Sequence, residues 1–593
     1  MKILLKIFGI NSKKQDTDDS LSQEKYIAML PAPNIIIILL GLAVVTAYAQ
    51  IWSLFSGVAT WADYILMIFS LIVMIFNSKH IGKLMTVESK PRMAVYIVLT
   101  GLFAYGTSRG YMHYDTNLYH AQAIRWIEDF GVIPGLANLQ SRFGYNSSEF
   151  ALNALYSWRW YLGQSLHTTA GFFALLSSVI AADIGHIWRD KNEQGKRIIN
   201  IRLSDFVRLG LIFYLGIIFS EIISPASDYY AQLLIFDIII LWLDMDDISI
   251  RDSDRFTSDR VTEYRALLCI LIVYAITIKL SIGLLVLLAI IPGISWIKTK
   301  KIRNILGCVM TGLLIVIPYF IRNHIISGWI LYPSTILKIG SPDWQLPKGE
   351  VQYDAKEIGM WGRGITRAED WENVTFFNWI GDWFGGLQLL EKVWVTGTAV
   401  AIIAVIIIAI IKCINYKKDS AEGKKEDIGA LPVMTVLSVG TIFWFCSAPL
   451  VRYGYAYLMI MPLITVGYIL GIMAKNKNGR EVVIRNAAFL IMAVIVVGLK
   501  GKGLISDILR TKDADYYIMQ QDYIDGEATT YEVDGITIYV AKDSGQIGYY
   551  KFPATPEVNV FEQQAVVPAA PVELVVPVIP VAPVEPGTTR VEP

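Results

Sequence analysis

Apolar runs of about 20 residues, the length that crosses a hydrocarbon core of about 30 Å, recur about thirteen times along this chain. They start near Asn34, Ala62, Ala94, Leu166, Phe206, Tyr229, Tyr264, Ile282, Ile302, Val393, Ala430, Tyr453 and Val482. Every even-numbered run ends in a basic loop. Lys79, Lys83, Lys90 and Arg92 follow the second, Arg251, Arg255, Arg260 and Arg265 the sixth, and Lys475, Lys477 and Arg480 the twelfth. Short loops rich in Lys and Arg stay on the cytoplasmic side. The alternation therefore predicts a cytoplasmic N-terminus and an extracytoplasmic C-terminus, and one missed or extra run would invert it downstream.

This topology sorts the polar stretches. Two long ones face outward, 111–165 and 323–386, with short outer turns at Glu221–Asp228, Lys279–Gly283 and Ser447–Arg452. In the first long loop, Tyr119, Ala123, Trp126 and Phe130 recur on one helical face and predict a helix over Asn117–Phe130. Asn146 stands three residues before Glu149, a capping-box pattern that would open a second helix reaching about Gly163. Aromatic, amphipathic helices outside the spans are expected to lie in the membrane interface. The second long loop is rich in Gly and Trp, and its composition predicts an irregular lid or cover.

The flanks divide accordingly. Residues 1–33 read as a polar, basic cytoplasmic segment, the first apolar run being long enough to be retained rather than cleaved. Residues 34–505 form the transmembrane domain. Residues 506–558 form a small outer segment in which Ala528–Val533 and Ile536–Val540 flank Asp534-Gly535, a type I′ hairpin signal. Residues 559–593, biased to Val, Pro, Ala and Glu, read as a disordered tail. The fold class is thus an all-α polytopic membrane protein of about 13 transmembrane helices, with amphipathic outer-loop helices and a small C-terminal β-hairpin.

Composition agrees. The 593 residues are 54% hydrophobic and 18% charged, against about a quarter charged in soluble chains. Formal net charge is zero, which gives nucleic-acid binding no support. The four cysteines lie in or beside apolar runs, a pattern unlike a disulfide framework or a zinc site.

The candidate chemistry lies at the outer ends of the runs. Asp115, in Tyr111-Met112-His113-Tyr114-Asp115-Thr116-Asn117, reads either as a general base or as a helix N-cap. Asp228 stands at the outer mouth of the sixth run with Glu221 close by. Together with Asp115 these acids could orient an acceptor, bind a divalent metal such as magnesium or manganese, or both. Lys279, Arg322 and Arg452 are outer cations where positive-inside counting disfavours them. A phosphate or pyrophosphate is their natural partner, since Arg offers a bidentate fork and Lys a point charge. Snorkelling to headgroups is the plainer alternative. His120, His324 and Arg363 are supporting candidates. No Gly-x-x-x-x-Gly-Lys-Ser/Thr stretch is present. Chemistry outside the membrane has no supply of soluble nucleotide sugars, so an activated donor there would be lipid-linked.

Many spans, a first large outer loop opening on an Asp, helices within that loop and an acid in the next outer turn resemble the GT-C superfamily of glycosyltransferases. The run Tyr114 to His120, Val132-Ile133-Pro134-Gly135, Arg322 to Pro333, and Ala448-Pro449-Leu450-Val451-Arg452-Tyr453 look closer still to a bacterial branch of that superfamily whose substrate is unassigned. The similarity runs from about Asn34 to Pro556. It implies a cytoplasmic (inner) membrane enzyme that moves a sugar from a polyprenyl-phosphate or polyprenyl-pyrophosphate carrier to a glycan, lipid or cell-wall acceptor. Asp115 would be the catalytic base, Asp228 an acid orienting acceptor or metal, and Lys279, Arg322 and Arg452 the donor-phosphate contacts. One base acting opposite the leaving phosphate implies inversion at the anomeric carbon. The chain departs from the superfamily in having no Asp-Asp, Asp-Glu or Asp-x-Asp at the first loop, which leaves metal dependence open. The rival readings are a polysaccharide polymerase or ligase working through Arg322 and Arg452, a transporter or flippase of lipid-linked sugars, and, last, a scaffold.

Overall fold

The computed structural model describes residues 30–556, apart from 86–88, 111, 189, 191–194, 252–255, 422–428, 475–478, 513–519, 521–522, 524, 534 and 543–548. The expectations for residues 1–29, for Asp534 and for the tail from 559 lie outside the described residues, as does Tyr111.

A helix stands at each place where an apolar run starts. In chain order these are α1 (Pro33–Ser53), α2 (Thr60–Met85) and α3 (Lys90–Ser108). The helices of the first long loop, α4 (Ala121–Phe130) and α5 (Ser148–Leu155), follow, then α6 (Thr169–Ala181), α7 (Leu203–Ile218), α8 (Ser227–Arg251) and α9 (Ser258–Ile278). Next come α10 (Leu280–Lys298) and α11 (Ile302–Ser327), then α12 (Lys348–Gly362) and α13 (Phe376–Gly386). The series ends with α14 (Leu389–Ala421), α15 (Leu431–Ser447), α16 (Val451–Ala474) and α17 (Gly479–Thr511). Eight helices among the described residues are long and apolar enough to cross a membrane, while α6 and α15 are shorter apolar helices. The chain is therefore a mostly helical, multi-pass membrane protein.

The bundle is built around α8. Every residue from Tyr229 to Met245 is buried, and the helix packs against α6, α7, α9 and α16. A helix buried on all sides belongs at the centre of a bundle. By contrast α14 shows Val400, Ile403, Ile406, Ile407, Ile410 and Ile411 outward, the continuous apolar surface that lipid covers.

Above one end of the bundle the two long loops and the C-terminal segment share a second core. Trp126 and Phe150 of the first loop pack with Trp329, Tyr332, Leu346 and Val351 of the second and with Ala554. The helices of the first loop are thus buried elements rather than half-sunk amphipaths: every residue of α5 is buried. The expected second helix is also interrupted. After α5 the chain turns through Trp158 at φ +54° into a single turn, Arg159–Leu162. Its capping box is not made, because Asn146 receives Arg322 Nε at 3.0 Å and Glu149 is hydrogen-bonded to Asn153 instead. The second loop is helical where an irregular lid is expected. Its α12 buries Val351, Asp354, Gly359 and Gly362, one helical face written largely in polar and small residues.

The hairpin is as expected, with β1 (Ala528–Val533) antiparallel to β2 (Ile536–Ala541), and β3 (Ala554–Thr555) adds parallel to β2. Thr555 donates to Leu139 O at 2.7 Å, the Phe552 ring meets Phe130 at 4.5 Å, and Gln520 accepts from the His167 backbone at 2.6 Å. The segment after α17 therefore lies on the same side of the bundle as the first long loop.

That contact predicts a labelling result. In a variant with its cysteines replaced, Tyr161→Cys in the first loop and Glu527→Cys after α17, both at exposed positions, should react with an impermeant maleimide from one and the same face of the membrane. Reaction from opposite faces would contradict the fold.

Candidate active site

Four turns at this end of the bundle bring four ionisable side chains together. Asp115 enters from the first loop, Asp228 from the first turn of α8, Lys279 from the break between α9 and α10, and Arg452 from the first turn of α16. Arg452 Nη2 donates to Asp115 Oδ2 at 2.7 Å, and its Nε stands 3.9 Å from Asp228 Oδ2. Lys279 Nζ donates to Asp228 Oδ1 and lies 3.9 Å from the centre of the Tyr453 ring. The group is two acids and two cations, each side chain between about a seventh and a third exposed.

The neighbouring backbone explains how they meet. Asp115 is followed by a π-helical turn, Thr116–His120, closed by Ala121 N–H donating to Thr116 O. Such turns are rare and frequent at functional sites. Asp115 does not cap this turn with its side chain, so the carboxylate is left to Arg452. Lys279 is extended, and the first ten residues of α10, Leu280–Ala289, are 3₁₀ rather than α. Gly110 lets the approach to Asp115 pass close over the α7–α8 turn, because a Cβ there would fall 2.5 Å from Ser220 O. His113 N–H then donates to Ser224 Oγ of that turn at 2.7 Å.

Arg452 stands at a helix N-terminus, where a cation meets the wrong end of the dipole. Two carboxylates offset that. The turn that carries it is held from two sides. Gln232, one turn along α8 from Asp228, donates to Tyr453 O and accepts from Ala456 N, both at 2.7 Å. From the second loop, Trp383 donates to Pro449 O at 3.0 Å and Arg363 to Cys446 O at 2.7 Å.

His113 is a site residue that the sequence reading passed over. Its Nε2 meets Arg452 Nη1. A guanidinium only donates, so Nε2 holds the lone pair and Nδ1 carries the proton, 3.5 Å from Asp115 Oδ2. The 3.1 Å approach of Asp115 N–H to Nδ1 suits the other tautomer and is not a hydrogen bond in this one. Burial, then the Arg452 charge, pushes the imidazole below its usual range, so it is neutral. Tyr453 is the other addition. Both are sequence neighbours of charged candidates, but no helical periodicity links them.

Burial alone would raise the Asp115 carboxyl, but the Arg452 charge and its hydrogen bond outweigh it and hold the group below the usual carboxylate range. His120 ends the π turn, packed on Tyr119 and Phe150. Burial pushes it down to about 3, so it too is neutral. Glu221 accepts from Tyr229 OH at 2.8 Å beside the cluster.

Arg322 is not part of this group. It is buried on α11, bonded to Asn146 and to Ser53 Oγ at the end of α1, against a cavity of about 20 Å³. His324 lies on the same helix, its Nδ1 without a hydrogen-bond partner among the described residues. A larger cavity of about 320 Å³ lies in the second loop. The cluster lines neither cavity; its four side chains are partly exposed, and Arg322 is the cation expected beside them that it leaves out. No three His, Cys, Asp or Glu side chains among the described residues are spaced to hold a metal ion, and Arg452 faces both carboxylates. The residues do not fit a divalent metal as they stand.

A model of the family described as Domain of unknown function (DUF8201) matches residues 22–459. The chain belongs to this family. The match takes in Asp115, Asp228, Lys279 and Arg452 and stops before the segment that follows α17. No curated protein and no solved structure matches the chain.

The two arginines should separate by experiment. Arg322→Ala leaves Asn146 and Ser53 without their donor and should cost about 1–3 kcal/mol, read as a lower unfolding midpoint of the purified protein. Arg452→Gln, in a partly exposed pair worth about 0–1 kcal/mol, should shift it far less.

Proposed function

We propose that this protein is a membrane glycosyltransferase of GT-C type, moving a sugar from a polyprenyl-phosphate or polyprenyl-pyrophosphate carrier to a glycan, lipid or cell-wall acceptor. The observation that carries the reading is the convergence of Asp115, Asp228, Lys279 and Arg452 from four separate turns. We place it in the bacterial cytoplasmic membrane with thirteen spans, the N-terminus inside and the cluster outside. The basic loops of the sequence support that orientation. The odd number of spans agrees with the contact between the first loop and the segment after α17.

Donor phosphate draws Arg452 and Lys279 away from the two acids. An acceptor hydroxyl attacks the anomeric carbon as the carbon–oxygen bond to phosphate breaks. The electron pair leaves with the phosphate oxygen, where the two cations stabilise it. Asp115, released from Arg452, takes the hydroxyl proton. Asp228 orients the acceptor. A carboxylate on one face and cations on the other give inversion. The polymerase or ligase alternative works through Arg322 and Arg452 without a catalytic Asp, and the commitment of the buried Arg322 to Asn146 and Ser53 weighs against it.

Asp115→Asn is the direct test. In membranes supplied with a panel of polyprenyl-phosphate sugars, release of polyprenyl phosphate should fall at least about 10²-fold. Binding of farnesyl phosphate should tighten by roughly threefold to tenfold, because a competitor for Arg452 is gone. Transfer at the wild-type rate would remove the proposal. The pH profile gives a second test. Asp115 and His113 are both shifted downward. The active forms, carboxylate and neutral imidazole, therefore persist below their ordinary ranges, and neither group titrates between about pH 6.5 and 8. In Arg452→Gln the main downward influence on Asp115 is lost while burial remains, so the acid limb of the residual activity should move to higher pH.

A further inference from the structure

The cavity of about 320 Å³ in the second loop is lined by Trp329, Thr335, Lys338, Gln345, Leu346, Pro347 and Lys348. Its volume falls within the range of pockets that hold small molecules. Its wall is stiff: Trp329 Nε1 donates to Leu346 O at 2.9 Å, and Gln345 Nε2 donates to Gly328 O at 3.1 Å. Leu346 N–H donates to Ser327 O at 3.0 Å, fixing the wall to the end of α11.

Charge distinguishes this cavity from the Asp115 cluster. There each cation is matched by an acid. Here no carboxylate lines the space, and neither Lys338 nor Lys348 has an acid partner among the described residues. Lys338 Nζ lies 6.0 Å from the centre of the Trp329 ring, a long contact that leaves its donors free for an anion. The cavity therefore offers two ammonium groups and the Thr335 hydroxyl with no internal counter-charge.

Its rim has the opposite character. Ile336, Leu337 and Ile339 are exposed, Ile336 at 84%, and they flank Lys338. Trp329 follows the last residue of α11 by two positions, so the cavity sits where a membrane-crossing helix ends. That is the level of the headgroups. Lysines in the cavity wall and exposed aliphatic side chains beside them match a molecule with an anionic head and a hydrocarbon body.

We propose that this cavity binds the phosphate headgroup of a membrane lipid. Lys338, Lys348 and Thr335 take the phosphate oxygens, and the hydrocarbon lies over Ile336, Leu337 and Ile339. The site is separate from the Asp115 cluster and does not depend on the glycosyltransferase reading.

The test uses the full chain purified in detergent and mass spectrometry of the intact protein–lipid complex. Wild type should retain phosphatidylglycerol and not diacylglycerol, which has the same body without phosphate. Lys338→Gln/Lys348→Gln should bind phosphatidylglycerol about tenfold or more weakly. Lys338→Arg/Lys348→Arg should restore it, and all variants should keep the wild-type unfolding midpoint because both lysines are on the surface. Millimolar inorganic phosphate should leave the lipid in place, and displacement by it would assign the site to free phosphate and overturn the lipid proposal. Equal retention of phosphatidylglycerol by wild type and the glutamine variant, or of diacylglycerol and phosphatidylglycerol by wild type, would overturn it as well.

Discussion

The pairing of Arg452 with Asp115 and Asp228 organises the end of the bundle that carries the two long loops. A guanidinium at the start of α16 is placed against the helix dipole, and a buried α8 brings an acid to the same point. Arg452 bonds to Asp115 and stands near Asp228, so it links the first loop to the bundle core. The surrounding contacts serve that meeting. Gln232 ties α8 to α16 one turn below it, Trp383 and Arg363 brace the turn before Arg452, and Ser224 anchors the backbone of His113. The second loop thus acts on the cluster through the backbone of a turn and not by covering it.

Much of this was legible in the sequence, for an identifiable reason. Apolar runs mark where helices stand, and the Lys/Arg alternation sorts their ends to two faces. Asp115, Asp228, Lys279 and Arg452 were sorted to one face and do meet. Sorting by face gives no angle around a helix. Arg322 shares the face, but α11 runs on to Ser327, so Arg322 lies more than a turn inside the helix and points at α1 and the first loop. The cap pattern at Asn146 misled because a tertiary partner, Arg322, claimed the side chain. Helix α12 was hidden because the face it buries is written in Asp and Gly, which a search for apolar periodicity does not count. His113 was missed because it stands only two residues before Asp115, so no i, i+3 or i, i+4 rule connects the two.

Two of the contributors are set by unusual helices. The π turn after Asp115 and the 3₁₀ stretch after Lys279 each depart from α geometry beside a charged residue. A π turn and a long 3₁₀ stretch hold their hydrogen bonds less well than an α-helix. These are the places where the backbone gives way most readily when a charged side chain changes partner. Asp228 and Arg452 stand on α-helical first turns packed into the bundle. The cluster therefore combines two fixed members with two on adaptable backbone.

The contact between the segment after α17 and the first loop has a temporal consequence. A ribosome delivers Asp115 early and Gln520 to Thr555 more than four hundred residues later. Until that last stretch has emerged, Trp126 and Phe130 lack the Phe552 ring, and Leu139 lacks the donor that Thr555 supplies. The shell around the charged cluster is thus closed by the part of the described chain that is synthesised last. Completion of that shell therefore waits for every preceding helix to be made.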